Sequence, residues 1–466
     1  MREFKLLIDG QLVDGEETLE VINPATEAVL CTCPRATAKL LNQAVAAAKR
    51  AYPAWRDTPA AARADVLRKL ADRIDQHLEE IAEALTLEQG KPIATARGEV
   101  GYAAVFCRHF ADMKFEPQIV QDDPAQRVEV HRKPLGVVAA IVPWNFPFLQ
   151  ATYKTAPALL TGNTVVLKPA PTTPLTSLFL GELVKDLVPR GVVNVLTDAG
   201  DIGPLLTAHP DIAKISFTGS TAVGKAVMSS AAGTLKRVTL ELGGNDAAIV
   251  LDDVDVKEAA PRIFGGAFFN SGQVCISIKR IYVHESIYDR MCDELAKLAE
   301  EAKVGDGMDP TTEYGPLQNQ KQFHRAKGYI EAARTYGKII AGGEAYGPGY
   351  FVRPTIVRDI AEGNSLVDEE TFGPVRSVMK FKNIEEVLTR ANNTSYGLGG
   401  SVWSKNVAKA IAIAARLESG TAWVNQHLGF GPHIPFGGIK QSGIGVEFAA
   451  EGLEEFTGVH VISIAK

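Results

Sequence analysis

The chain has no surplus of basic residues. Its 49 Lys and Arg against 55 Asp and Glu leave a net charge of −6. A positive field that neutralises phosphates is therefore missing, and nucleic acid is not an expected partner. Long apolar runs are missing too. A spanning helix needs roughly 18 consecutive apolar residues, so no membrane span is expected. Met1-Arg2-Glu3-Phe4-Lys5 leads into no apolar segment of the secretory kind, and the expected location is the cytoplasm. Cysteine is scarce. The five, Cys31, Cys33, Cys107, Cys275 and Cys292, are odd in number and scattered, which argues against a disulfide framework. Cys31 and Cys33 form a C-x-C pair with no second Cys or His pair nearby. Thiols in a strand are the expectation there, and no metal site.

What is present is an alternation of patterns. With 466 residues the chain has material for two or three domains. Short strands are expected at Lys5–Ile8, Gln11–Val13 and Glu20–Ile22, and mostly helix over 36–115. There Leu40, Leu41, Ala44, Val45 and Ala48 recur at helical spacing. The polar stretch Gln121–Gln126 followed by Val128–His131 reads as a hairpin leaving the domain. From residue 136, short apolar runs alternate with helices: Val137–Val142, Thr164–Leu167, Val193–Leu196, Ala213–Phe217 and Val238–Leu240. That alternation predicts an α/β fold with a parallel, doubly wound sheet. A second α/β series starts near Ala247–Leu251, and Thr457–Ile464 reads as a closing strand.

Three segments carry chemistry. Phe269-Asn270-Ser271-Gly272-Gln273-Val274-Cys275 is uncharged and ends on a thiol. Its small residues suggest a loop or helix start, where backbone N–H groups lower a thiol pKa. Glu241 ends a strand-like run before Gly243 and Gly244. Asn145 follows a strand in Pro143-Trp144-Asn145-Phe146-Pro147. A thiol to attack a carbonyl, an amide to hold the oxyanion and a carboxylate to activate water make a complete set. A fourth segment, Phe217-Thr218-Gly219-Ser220-Thr221-Ala222-Val223-Gly224, follows a strand and opens a helix. That context suits a pyrophosphate at a helix N-terminus, although the spacing is not G-x-G-x-x-G.

Together these segments resemble the aldehyde dehydrogenase superfamily over nearly the whole chain. The resemblance implies a non-acylating, NAD(P)-dependent enzyme with Cys275 as nucleophile, Glu241 as general base and Asn145, with the Cys275 N–H, at the oxyanion. It implies a thiohemiacetal that becomes a thioester and is then hydrolysed. Lys154 and Glu447 match a lysine and glutamate behind the base, as a proton path or a structural ion pair. Trp144, Lys168, Gly219, Ser220, Gly224, Leu242, Glu370 and Phe372 match positions that hold NAD. Pro171 stands where NAD-strict members often carry Glu, so NADP stays possible. Tyr102, Phe146, Phe148, Tyr153, Val274, Ile276 and Phe436 fall where a substrate channel is lined, or pack in the core. An aromatic at Tyr153 favours an apolar aldehyde, medium-chain or aromatic. Alternatives are a semialdehyde or coenzyme A-acylating enzyme, a cysteine esterase, or a silent structural protein on the same scaffold. The implied architecture is a Rossmann-like cofactor domain (1–116 and 135–244), an α/β catalytic domain (245–440) and a small β oligomerisation element (117–134 and 441–466). A homodimer or homotetramer is implied.

Overall fold

The computed structural model describes residues 3–114 and 116–466; the reading at Met1-Arg2 lies outside them. Four helices, Ala38–Arg56, Ala60–Gln76, Leu78–Gln89 and Ile93–Asp112, fill the N-terminal helical stretch. They turn their apolar stripes, such as Leu41, Ala44, Val45 and Ala48, inward.

The first sheet has eight strands. Its parallel centre runs Val193–Val195, Thr164–Lys168, Val137–Ile141, Ile212–Thr218, Arg237–Glu241. Sequence order reverses between Val137–Ile141 and Ile212–Thr218, which makes a switch point at their carboxyl ends. Both strands lead directly into segments singled out above, Pro143–Pro147 and Gly219–Gly224. The strands Val137–Ile141 and Thr164–Lys168 are buried at every position, as a sheet covered on both faces requires. Leu6–Ile8 and Gln11–Val13 close one edge antiparallel. Gly443–Ile444 closes the other against Glu241, so this part of the expected oligomerisation element belongs to the first sheet.

The second sheet has seven strands, in the order Lys338–Ala341, Thr355–Arg358, Val375–Phe381, Ile278–His284, Asp246–Val250, Gly399–Trp403, Thr421–Val424. All neighbours are parallel except the first pair. Arg237–Glu241 and Asp246–Val250 thus lie in different sheets, joined by only Leu242–Asn245. The core around the first sheet continues through Val274, Ile276, Leu398 and Trp423 of the second half, which fastens the Cys275 loop to both. Thr457–Ala465, Gln126–Pro134 and Gln118–Asp122 form a separate antiparallel sheet. No described helix is long and apolar enough to cross a membrane.

Candidate active site

Cys275 lies in a turn just before strand Ile278–His284. The chain reaches it through a left-handed bend: Asn270, Ser271 and Gly272 have φ of 51°, 56° and 73°. For the two non-glycine residues that conformation costs on the order of 1–3 kcal/mol each, so something must hold it. Asn270 Nδ2 donates to the Asn145 carbonyl at 3.2 Å, and Ser271 Oγ donates to the Gly315 carbonyl at 2.8 Å. The buried Arg376 donates to the Gly272 carbonyl at 3.1 Å and the Gly373 carbonyl at 2.7 Å. A side chain on Gly272 would strike Arg376. The bend is therefore an anchored support for the thiol.

Of the two expected settings, loop or helix start, the loop is found, but the expected lowering of the thiol pKa is not. Cys275 is not at a helix N-terminus. Burial, and then the Glu241 carboxylate beside it, push the thiol well above its usual range. Burial and then Glu447 likewise raise Glu241, to about 8. The two side chains are within hydrogen-bonding reach, so they titrate as a pair. Glu241 Oε1 is buried without a hydrogen-bond partner among the described residues.

Asn145 is 4% exposed. Its Nδ2 donates to the Gln273 carbonyl at 3.0 Å, and its Oδ1 accepts from Gln150 at 3.4 Å. One N–H of the amide remains for a ligand. Its own carbonyl accepts from Lys91 Nζ at 2.8 Å. Pro147 starts helix Pro147–Leu160, where a missing N–H costs nothing. The next two amides, Phe148 and Leu149, donate to Glu99 at 3.2 Å each. Glu99 pairs with Lys91, both side chains fully buried. This Lys91–Glu99 pair, which sequence reasoning missed, fixes Asn145 from below.

Two cavities meet at these residues. The larger, about 410 Å³, is lined by Tyr102, Phe146, Leu149, Tyr153, Phe269, Val274, Ile276, Leu428, Phe430, Phe436 and Phe448 among others. The smaller, about 110 Å³, is lined by Trp144, Gly219, Ser220, Leu242, Gln322, Arg325, Glu370 and Phe372 among others. Asn145, Glu241 and Cys275 line both. Phe148 lines neither; it is fully buried in the core. Tyr153 packs edge-on to Phe448 at 4.9 Å, and Phe448 stacks on Phe436 at 5.9 Å.

The smaller cavity borders a helix start. Ser220 caps helix Thr221–Ala232, its side chain accepting from Val223 N–H. A Cβ on Gly219 would lie 2.5 Å from the Phe217 ring, and one on Gly243 would lie 2.6 Å from Glu370 Oε2. Neither position has room for a side chain beside its own protein neighbours. Glu370 accepts from Gly244 N–H at 3.0 Å, and Trp144 packs edge-on to Phe372 at 5.3 Å. Gly224 stands back from the cavity and lets its helix close on Leu242. Lys168 also lies outside it, 2.7 Å from the buried Asp198. Behind Glu241, the buried Lys154 pairs with Glu447 and donates to Ser216 at 3.2 Å. Gln322 and Arg325, three apart on helix Gln320–Tyr336, belong to no motif and were not foreseen.

The comparisons agree with this geometry. Residues 12–462 match the model of the aldehyde dehydrogenase family. A phenylacetaldehyde dehydrogenase of Pseudomonas fluorescens is 41% identical, over 99% of this chain and 96% of that protein. The NAD+ complex of an aldehyde dehydrogenase from Bacillus cereus superposes with a TM-score of 0.97 at 39% identity, covering 100% of this chain and 97% of that one. An NADP-dependent enzyme of E. coli superposes with a TM-score of 0.97 at 37% identity, covering 100% and 98%. With a match across almost its full length and a thiol, carboxylate and amide gathered at one junction, the chain belongs to the aldehyde dehydrogenase family.

Proposed function

We propose that the chain oxidises an apolar aldehyde, aromatic or medium-chain, to its carboxylic acid with NAD or NADP. The observation that carries the reading is the junction: Cys275, Glu241 and Asn145 are shared by an apolar cavity and a second one of mixed polar and apolar lining. The aldehyde enters from the larger cavity. The Cys275 sulfur forms a bond to the carbonyl carbon, the carbonyl π pair moves to oxygen, and the thiol proton is lost to water. The new oxyanion takes hydrogen bonds from the Asn145 amide and the Cys275 N–H. When bound, the dinucleotide supplies the hydride acceptor. Its pyrophosphate would rest on Ser220 and the N-terminus of helix Thr221–Ala232, its nicotinamide ribose on Glu370 beside Phe372. Lys168, held by Asp198, would serve the adenine ribose. Glu241 then takes a proton from water as the water attacks the thioester carbon, and the Cys275 thiolate leaves. Lys154 and Glu447 offer that proton a way out.

No lysine or arginine lines the larger cavity, so nothing there would catch a distal carboxylate. That favours apolar over acidic aldehydes. The cavity volume, about 410 Å³, suits a phenyl-bearing substrate. Both cofactors stay within the proposal because Pro171, in a partly exposed turn after Lys168, brings no carboxylate of its own to repel a 2′-phosphate. The test is kcat/KM for aliphatic, aromatic and acidic aldehydes, each with NAD and NADP, followed by absorbance of the reduced nicotinamide. Aromatic or medium-chain aldehydes should exceed acidic ones by about tenfold or more. Preference for an acidic aldehyde overturns the substrate reading.

A further inference from the structure

Lys279 is a buried cation without an ion pair among the described residues. Its side chain is fully enclosed at the start of strand Ile278–His284. The deeply buried lysines Lys91, Lys154, Lys168 and Lys214 each have a carboxylate partner. Lys279 instead donates to two main-chain carbonyls, Val274 at 3.0 Å and Cys275. An ammonium withdrawn from water and given only carbonyls is costly to keep. Burial lowers its pKa, while Glu370 and Asp246 act at longer range to hold its proton.

The Val274 carbonyl is the informative partner. It accepts from Lys279 Nζ, from Ser277 Oγ at 3.0 Å and from Ser277 N–H at 3.2 Å. The 274–275 peptide is trans, so its carbonyl and its N–H point to opposite sides of one plane. Fixing Val274 O on Lys279 therefore fixes the Cys275 N–H on the side away from the lysine. That N–H has no acceptor among the described residues. A charged donor on the carbonyl also polarises the shared peptide and strengthens the N–H as a donor.

We propose that Lys279 is a positioning residue that aims and polarises the Cys275 N–H toward the oxygen of the bound carbonyl. The inference rests on the assignment of Cys275 as nucleophile. It separates two reactions of one thiol. Alkylation by iodoacetamide builds no oxyanion; acylation by p-nitrophenyl acetate does, and neither needs cofactor.

The experiment compares the parent with Lys279→Met, which keeps the stem and removes the ammonium. Rates of Cys275 alkylation and of the p-nitrophenolate burst are measured on folded protein of matched NAD affinity. The burst should fall about 10²-fold, the range seen when an oxyanion donor is lost. Its loss should exceed the loss in alkylation by at least tenfold. Equal losses, or none, overturn the proposal, because a merely displaced thiol slows both reactions alike. If Lys279→Met does not fold, Ser277→Ala removes a neutral donor from the same carbonyl and keeps the charge. It should show the same inequality at about threefold, and equal rates there overturn the idea. Alkylation that leaves parent turnover intact would instead refute Cys275 as nucleophile.

Discussion

At the scale of single residues, the site depends on two groups that burial keeps protonated. Cys275 is pushed up by burial and by Glu241, and Glu241 is pushed up to about 8 by burial and by Glu447. The general base works only when ionised. Turnover limited by thioester hydrolysis should therefore rise with pH and level off above about 8. Glu241→Gln should remove that limb, and a limb unchanged in the variant would place the base elsewhere. Stability should move the opposite way. The folded protein holds the Glu241 proton more tightly than the unfolded chain, so this group contributes stability below its ordinary pKa of 4.5 and loses it as pH rises through about 8. The melting temperature of Glu241→Gln, relative to the parent, should climb between pH 5 and pH 9. Cys275→Ala should abolish dehydrogenase turnover and leave dinucleotide affinity within a few-fold, measured by titration of protein fluorescence.

At the scale of elements, the switch point between Val137–Ile141 and Ile212–Thr218 explains why Trp144, Asn145, Gly219 and Ser220 converge. Much of this was legible in the chain. Alternating apolar runs and helices announced the parallel sheet, and strand ends carried the motifs. The boundaries moved by a few residues where propensity alone decides. The strand expected at Glu20–Ile22 begins at Glu17, and the one expected at Ala213–Phe217 runs from Ile212 to Thr218. Phe148 shows what a motif neighbour conceals. It lies in the first turn of a helix that is buried all round, so its side chain goes to the core and away from the channel despite its sequence adjacency to Asn145. The Lys91–Glu99 pair was illegible because its partners meet only in three dimensions. Glu99 reads as a helix-surface carboxylate, yet it caps the helix after Asn145. Lys91→Met leaves Glu99 buried and unpaired. It should cost about 3–5 kcal/mol of stability and lower kcat about tenfold through a loosened Asn145. Adding Glu99→Gln should recover part of the stability in a denaturation curve, since the amide oxygen still accepts from Phe148 and Leu149. No recovery would mean that the charge is not what the pair balances.

At the scale of the whole molecule, the antiparallel sheet of Gln118–Asp122, Gln126–Pro134 and Thr457–Ala465 stands with two open edges. Val120, Val459 and Val461 on it are 54%, 62% and 55% exposed. Open edges with apolar faces invite pairing with another chain, and we propose that a second copy covers them. Val461→Asp should shift the molar mass in light scattering toward that of one chain. An unchanged mass would remove this sheet from the assembly. The account as a whole stands on one division of labour: Cys275 takes the aldehyde, and Glu241 releases the acid. The most direct measurement is rapid mixing of Glu241→Gln with NAD and a phenyl-bearing aldehyde, followed by absorbance of the reduced nicotinamide. The account predicts a burst approaching one equivalent per site, then turnover slowed about 10²–10⁴-fold. A trace without a burst, with the first turnover slowed as much as the later ones, would contradict it.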